Sequence, residues 1–329
     1  MSQRPSMSFI AWVPEASRAG SISRALDGEW RTFYDLRIHR KVLVPVRYLL
    51  SAVRTIAYLV RHRPRAVIVQ TPPVPAAALV LAWARVAGVP VVLDTHPASF
   101  GLDGRAFHRM MMPLLARLAP RVAGCIVTTP ELGRQISDWN GRPLIVHEAP
   151  MVWAEKAEPH ACSDRRRALF ICTFVPDEPL MEVLEAARRV PDVTVQITGD
   201  LRRRPPRAKA AAPGNVEWVG YLVGEQYVSA LANADVVLAL TDRPESVQRS
   251  AHEAVDALRP LVLSEWPHMR ELFPYAVLVE NDPGSIAAGI EEALRRCEEL
   301  SALAPDARGA QHRRWREQLG QLRAALGLA

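Results

Sequence analysis

Short runs of β-branched and apolar residues alternate along this chain with longer segments whose apolar positions recur at helical spacing. In the first half the runs are Ser8–Val13, Thr32–Leu36, Ala66–Gln70, Val89–Asp94, Cys125–Thr129 and Leu144–His147, and the clearest helical patterns between them are Pro45–Arg61 and Pro75–Ala87. The stretch Val152–Arg167 has no period, is rich in charge and Pro, and reads as a linker. A second alternation follows, with strands Ala168–Phe174, Val193–Thr198, Val216–Val219, Asp235–Leu240, Leu261–Leu263 and Ala276–Val279. Its helices include Glu178–Arg189, Glu225–Ala232, Val247–Leu258 and Ser285–Glu298, and a last helical segment, His312–Leu326, can cross back to the first half. Alternation of this kind predicts an α/β fold, parallel sheets wrapped by helices. Two such series in 329 residues make two domains, each able to bury a core. The expected division is 1–155, 156–308, and a C-terminal helix over 309–329 returning toward the first domain.

Composition (49% hydrophobic, 23% charged) fits a globular protein and excludes a disordered or fibrous one. Charge changes the picture more. The net charge is +6, yet residues 1–155 hold 19 Arg/Lys against 10 Asp/Glu and the remainder 22 against 25. A basic first half implies an anionic partner. Residues 36–93 contain nine Arg/Lys and no acid, and Arg47, Arg54 and Arg61 recur every seven residues on one helix face. Val46, Leu49, Leu50, Val53, Ala57 and Val60 fill neighbouring faces. This is either a basic amphipathic helix of the kind found at anionic membrane surfaces, or a helix packed on the sheet with a solvated arginine face. No aromatic platform accompanies the charge, so nucleic acid is not the expected partner. Arg202, Arg203 and Arg204, after Gly199 and Asp200, read as a solvated loop or, since they follow a strand end, as cations beside the donor site.

Four cysteines (Cys125, Cys162, Cys172, Cys297) show no paired spacing for zinc or a redox pair. Cys125 and Cys172 fall in apolar runs, so buried free thiols and a reducing compartment are expected. No charged-then-apolar leader opens the chain, and no apolar run reaches the ~18 residues of a spanning helix. The expected location is cytoplasmic, peripheral to the membrane's inner face.

In open parallel sheets ligands bind beyond the carboxyl ends of the strands. No G-x-G-x-x-G follows any strand and no G-x-x-x-x-G-K-[ST] occurs, which removes the main support for a dehydrogenase or a P-loop enzyme. After Asp235–Leu240 the chain reads T-D-R-P-E-S-V-Q-R-S-A-H-E-A-V, with Glu245 and Glu253 at E-x₇-E spacing. A diphosphate can sit at the N-terminus of the following helix, with Ser246 adding a hydroxyl and Arg243 a charge-assisted contact. Glu253 can accept from ribose hydroxyls; the alternative is an acidic residue that only complements the helix dipole, plus an exposed glutamate. In the first half, Pro72 and Pro73 end a strand and imply an open loop. Asp94 and His96 end the next strand. Asp94 is a cap or a positioned carboxylate, and His96 is a packed residue or a general base near neutrality.

The E-x₇-E element and the approach to it, V-E-W-V-G-Y-L-V-G-E-Q-Y-V-S-A-L-A-N-A-D-V-V-L-A-L, resemble family 4 glycosyltransferases, which have two Rossmann-like domains facing each other across a cleft, the GT-B fold. The resemblance implies that Glu245 faces the donor sugar, Glu253 the ribose, and Gly220, Tyr221 and Leu222 the nucleobase. Four further pieces stand in order: V-I-V-Q-T-P-P-V-P (Val67–Pro75), V-V-L-D-T-H (Val91–His96), V-H-E-A-P (Val146–Pro150) and T-F-V-P-D-E-P (Thr173–Pro179). They are similar to pieces of the β-1,4-mannosyltransferases that extend polyprenyl-diphosphate-linked chitobiose, and of bacterial relatives.

From the resemblance, a hexosyltransferase is expected, moving sugar from a nucleotide-diphosphate donor to a membrane-proximal, lipid-linked or glycan acceptor in polysaccharide assembly. No D-x-D pair is placed for a divalent ion, so neither cofactor nor metal is expected. Catalysis would fall to His96, Asp94 and Glu245. Donor contacts would come from Glu253, Arg243, Arg249, Ser246, Thr173, Phe174, Asp177, Glu178, Gly199, Gly220–Leu222 and Gly20, and acceptor-side contacts from Pro72, Pro73 and the three arginines. The chain departs from family 4 in two places. The Arg and Lys usual after the first strand of the second domain are absent from I-C-T-F-V-P-D-E-P, leaving Arg243, Arg249, Arg18 or backbone N–H groups to hold diphosphate. The glycine pair after the first strand is missing, with Arg18-Ala19-Gly20-Ser21 near its place. A nucleotide-sugar 2-epimerase or hydrolase, or a catalytically silent subunit of the same fold, remains the alternative, and stereochemistry stays open.

Overall fold

The computed structural model describes residues 5–14, 17–34, 43–158, 162 and 166–328. The chain divides into two compact units, 1–149 with 315–329, and 150–314.

The first unit holds β1 (Ser8–Ala11), α1 (Ser17–Ala25), β2 (Glu29–Thr32), α2 (Val44–His62), β3 (Val67–Thr71), α3 (Val74–Ala87), β4 (Val91–Thr95), α4 (Ala106–Leu118), β5 (Gly124–Val127), α5 (Pro130–Asp138) and β6 (Pro143–Ile145). All its strand pairs are parallel, in the order β2-β1-β3-β4-β5-β6. Parallel strands are covered on both faces, which is why β1, β3, β4 and β5 are nearly continuous apolar runs. One face packs residues of α2 to α5, among them Leu59, Val80, Leu115 and Ile136. The other packs Ile22 of α1 and Leu26 just after it with Trp315, Leu322 and Leu326 from the end of the chain.

The second unit holds β7 (Arg167–Phe170), α6 (Leu180–Arg189), β8 (Thr194–Thr198), α7 (Pro206–Ala211), β9 (Val216–Gly220), α8 (Glu225–Ala232), β10 (Val236–Ala239), α9 (Arg249–Asp256), β11 (Leu261–Ser264), α10 (Pro267–Leu272), β12 (Val277–Val279) and α11 (Pro283–Arg295). Its order is β12-β11-β10-β7-β8-β9, again all parallel. α12 (Cys297–Ala325) then carries the chain into the first unit. Parallel pairing puts every strand's carboxyl end on the same edge of its sheet, so the loops there are brought together.

Several elements differ from expectation. The strand expected at Thr32–Leu36 is β2, ending at Thr32; Asp35 and Leu36 lie outside the described residues. So do 159–161 and 163–165 of the expected linker. The last helix starts at Cys297 rather than His312 and contains Pro305. Pro72 and Pro73 form no open loop: both follow cis peptide bonds, Pro73 is buried, and α3 begins at Val74.

Cys162 and Cys297 are joined in a disulfide, which the lack of a paired spacing did not anticipate and which runs against the reducing compartment expected from Cys125 and Cys172. A separation of 135 residues leaves no spacing signal from which to read the pair. Cys125 and Cys172 are free and buried.

α2 also lies otherwise than its pattern suggests. Its buried face is Ser51, Thr55, Tyr58 and Leu59, three of them polar. Each hydroxyl has a partner: Ser51 donates to the Phe33 carbonyl at 2.8 Å, Thr55 accepts from Trp12 Nε1 at 2.9 Å, and Tyr58 shares a hydrogen bond with Ser8 at 3.0 Å. Paired in this way, buried hydroxyls carry no large penalty. The apolar residues Val46, Leu49, Leu50, Val53 and Val60 are left facing solvent.

Candidate active site

At the end of β4, Asp94 is buried and His96 follows the strand with its ring about one-third exposed. The His96 backbone N–H donates to the Thr71 carbonyl at 3.0 Å, tying the ends of β3 and β4. Burial pushes the Asp94 carboxyl up, but the Arg18 guanidinium at 3.7 Å and the His96 ring outweigh it and hold the group below its ordinary value. An ionised carboxylate only accepts, so the 3.1 Å contact between Asp94 Oδ2 and His96 Nε2 places the imidazole proton on Nε2. Nδ1 of neutral His96 then carries the basic lone pair. Arg18 also donates to the Val146 carbonyl, from within α1. Gly20, two residues on, has its missing Cβ 3.5 Å from the Trp30 indole nitrogen. His147 is structural: Gln318 donates to its Nδ1 at 2.8 Å, and its Nε2 lies 3.1 Å from the Thr128 carbonyl.

In the second unit the loop after β7 folds around Glu178. Its carboxylate accepts from the Thr173 N–H at 2.8 Å, the Val175 N–H at 3.1 Å, the Thr173 hydroxyl at 3.0 Å and the Cys172 thiol at 3.1 Å. The backbone donors of this loop, one of the expected replacements for the missing Arg and Lys, are therefore occupied by the chain's own anion. Phe174 has a positive φ of 61°, and its ring lies over Gly199 at φ 126°, where a Cβ would come within 2.6 Å of it. Phe174, Val175, Pro176, Glu178 and Pro179 line a pocket of about 330 Å³ with Arg207 and Asp242.

The loop after β10 is bound to the same edge. Arg243 pairs with Asp177 at 3.1 Å, and the Asp242 N–H donates to the Asp177 carbonyl at 2.7 Å. Asn281 donates to the Thr241 carbonyl at 2.9 Å and Ser264 to Asn281 at 2.7 Å, adding β11 and the residues after β12. Glu245 and Ser246 lie in this loop, because α9 begins only at Arg249. Glu253 is thus barely more than one turn into its helix. It is buried, accepting from Arg249 Nε at 2.8 Å and from the Tyr227 hydroxyl. Burial, then the charge of Glu253, pushes the Tyr227 phenol far up, so it stays a donor. Gly220 ends β9 at φ 80°, and Tyr221 beyond it is exposed.

The structure thus gathers the second-unit residues Thr173, Phe174, Asp177, Glu178, Gly199, Gly220–Leu222, Arg243, Glu245, Ser246, Arg249 and Glu253 at the carboxyl ends of one sheet. It places Asp94, His96, Pro72 and Pro73 at those of the other. Every arginine expected to replace the missing cations, Arg18, Arg243 and Arg249, already faces a carboxylate. Sequence reasoning missed Tyr227, which sits 26 residues from Glu253 with no pattern joining them, and the Arg18–Asp94 pair, whose members lie in α1 and β4. The arginines of α2 differ among themselves. Arg54 and Arg61 are exposed, whereas Arg47 stacks on Tyr34 with its guanidinium carbon 4.6 Å from the ring centre. In the triplet after Gly199, Arg202 and Arg203 are exposed, Arg202 holds Asp200 through two contacts of 2.9 Å, and Arg204 lies over Trp218. Among the described residues no three His, Cys, Asp or Glu side chains are grouped to hold a metal ion.

Two Rossmann-like units with parallel sheets of this strand order, each presenting its ligand loops at the carboxyl edge, define the GT-B class. Residues 13–150 match the glycosyl transferase 4-like domain family, and residues 165–296 match the glycosyl transferases group 1 family. This chain is a two-domain GT-B glycosyltransferase. No curated protein sequence matches it. Among solved structures it is similar to HepE of Anabaena in complex with UDP and glucose, at 14% identity and TM-score 0.72 over 98% of this chain and 100% of that one. A sucrose-phosphate synthase from Thermosynechococcus elongatus gives 14% and 0.72, over 96% and 97%. A glycosyltransferase from Rickettsia africae gives 11% and 0.68, over 99% of both chains.

Proposed function

We propose that the chain transfers a hexosyl group from a uridine-diphosphate sugar to a hydroxyl of a lipid-linked acceptor at an anionic membrane surface, in polysaccharide assembly. The observation that carries the chemistry is the His96–Asp94 contact, with Asp94 kept ionised beside Arg18. His96 Nδ1 takes the acceptor's proton as the hydroxyl oxygen bonds to the anomeric carbon, and the bond from that carbon to the diphosphate oxygen breaks. The nucleoside diphosphate leaves with the electron pair. A protein base in this role fits displacement with inversion. Supporting the donor are the group 1 family match over the second unit and the structure of HepE, a chain of the same fold, in complex with UDP-glucose. Glu253, shaped by Tyr227 and Arg249, would take the ribose hydroxyls, and the pocket beside Phe174 would take the diphosphate or sugar. The basic first half and the resemblance to mannosyltransferases of polyprenyl-linked substrates support the acceptor.

A second reading, a catalytically silent subunit, is favoured by Glu178 filling its own loop and by the pairing of all three arginines. One experiment separates the readings. UDP should raise the melting temperature more than GDP does, and Glu253→Ala should remove most of that shift. His96→Ala should keep the shift yet lose about 10²-fold or more in turnover, as removal of a general base does. A shift with no transfer to any polyprenyl-linked acceptor would favour the silent subunit, and release of free sugar or epimer would favour the hydrolase or epimerase.

A further inference from the structure

We propose that the outward ridge of α2 inserts into the headgroup boundary of an anionic lipid bilayer, making this helix the enzyme's wedge into the membrane. The inference deepens the reading of a membrane-surface acceptor and rests on it only for that acceptor's location. In a helix of about 3.6 residues per turn, positions 46, 49, 50, 53, 57 and 60 form one continuous stripe. In this chain they are Val46, Leu49, Leu50, Val53, Ala57 and Val60, opposite the buried Ser51, Thr55, Tyr58 and Leu59. Leu49 is 65% exposed, Val53 60% and Val60 52%. Side chains this apolar, aligned over four turns, are left facing water while hydroxyls are buried beneath them. A helix that only covered the sheet would place them the other way.

The charge beside the stripe identifies the occupant. Arg54 and Arg61 are exposed along one flank of the ridge, Arg63 and Arg65 are exposed just past the helix end, and no acid occurs between residues 36 and 93. An apolar ridge with cations along its side matches a bilayer surface, with acyl chains below and anionic headgroups beside. α2 is held to the sheet along its opposite, buried face, so the ridge can enter a bilayer only in the interface plane.

Flotation of the full chain with phosphatidylglycerol–phosphatidylcholine vesicles, and with phosphatidylcholine alone, tests this. Wild type should float with the anionic vesicles. Leu49→Ser with Val53→Ser should bind at least tenfold more weakly while melting as wild type does, since both side chains are exposed. Arg54→Gln with Arg61→Gln should weaken binding at ~0.1 M salt and lose that difference near ~1 M, where the Debye length has shrunk to about 3 Å. A polarity-sensitive dye on Val53→Cys should report an apolar surrounding only with anionic vesicles. If the serine variant floats as wild type does, insertion is overturned and a purely electrostatic attachment stands. If wild type does not float at all, wedge and membrane location fall together. If wild type is a dimer in solution that Leu49→Arg makes monomeric, the ridge covers a second copy and the proposal is overturned. The UDP-dependent melting shift, measured without vesicles, should be the same in wild type and the serine variant, so failure at the membrane leaves the donor reading intact.

Discussion

At the scale of single residues, the decisive group is Asp94. It is buried, and what offsets its burial is the charge of Arg18 together with the contact to the His96 ring. Arg18 is itself buried, so Asp94→Asn strands a cation away from water. Breaking a buried pair on one side costs about 3–5 kcal/mol, whereas replacing both partners by apolar groups of similar volume is often close to neutral. Asp94→Asn should therefore lower stability strongly, and adding Arg18→Met should recover most of the loss; chemical denaturation of the three proteins measures it. The pH dependence has a definite sign. The native pKa lies below the unfolded one, so the stabilisation is present above the unfolded value, near 3.9, and is lost as pH falls through the native value. Wild type should lose more stability than the double variant below about pH 4. Asp94 and His96 were legible as the close of an apolar run. Arg18 was read as a cation for the diphosphate, and its pairing with Asp94 was not legible, because it reaches that carboxylate from a different element, α1. Glu253 was legible by its spacing from Glu245, but its place within the helix was wrong, since Pro244 and the turn at Ser246 delay α9 to Arg249.

At the scale of elements, strands and helices were read from period and β-branching, and the parallel pattern followed from their alternation along the chain. Orientation was not readable. The 3.6-residue period of α2 marks an apolar stripe but not the side that meets the sheet. Partners such as Trp12, Ser8 and the Phe33 carbonyl are what make the polar side the buried one. The loops after β7 and β8 show the same dependence on distant partners. Phe174, at positive φ, is seated by the absence of a side chain at Gly199, whose own φ of 126° suits glycine. Gly199→Ala adds a methyl 2.6 Å from the Phe174 ring and 2.9 Å from the Cys172 carbonyl, in a conformation that alanine disfavours. Overpacking and backbone strain each cost about 1–3 kcal/mol. The variant should melt lower than wild type, and if Phe174 borders the donor, its UDP-induced melting shift should shrink in calorimetry. An unchanged shift beside a lowered melting point would separate the Phe174 loop from donor binding.

At the scale of the whole molecule, the two-series pattern anticipated two units, but the covalent link within the second was not legible. The Cys162–Cys297 disulfide joins residue 162, early in the second unit, to the start of α12. Closing a loop of 135 residues limits the unfolded chain far more than the native one. On the chain-entropy account that contributes about 4–5 kcal/mol. The two other thiols behave differently. Cys125 is buried within β5, and burial pushes its thiol up to about 12; Cys172 is shifted upward by burial and then by Glu178. Thiols held this far toward the protonated form, with no access to solvent, do not react at pH 8, near the ~8.5 of an ordinary cysteine. Thiol titration should accordingly find no reactive cysteine in the native protein, two after unfolding without reductant, and four after unfolding with reductant. Reductant should also lower the melting temperature of wild type and leave a Cys162→Ser, Cys297→Ser variant unmoved. Four reactive thiols in the unreduced, unfolded protein would show that the pair stays reduced and would overturn the disulfide's contribution to stability.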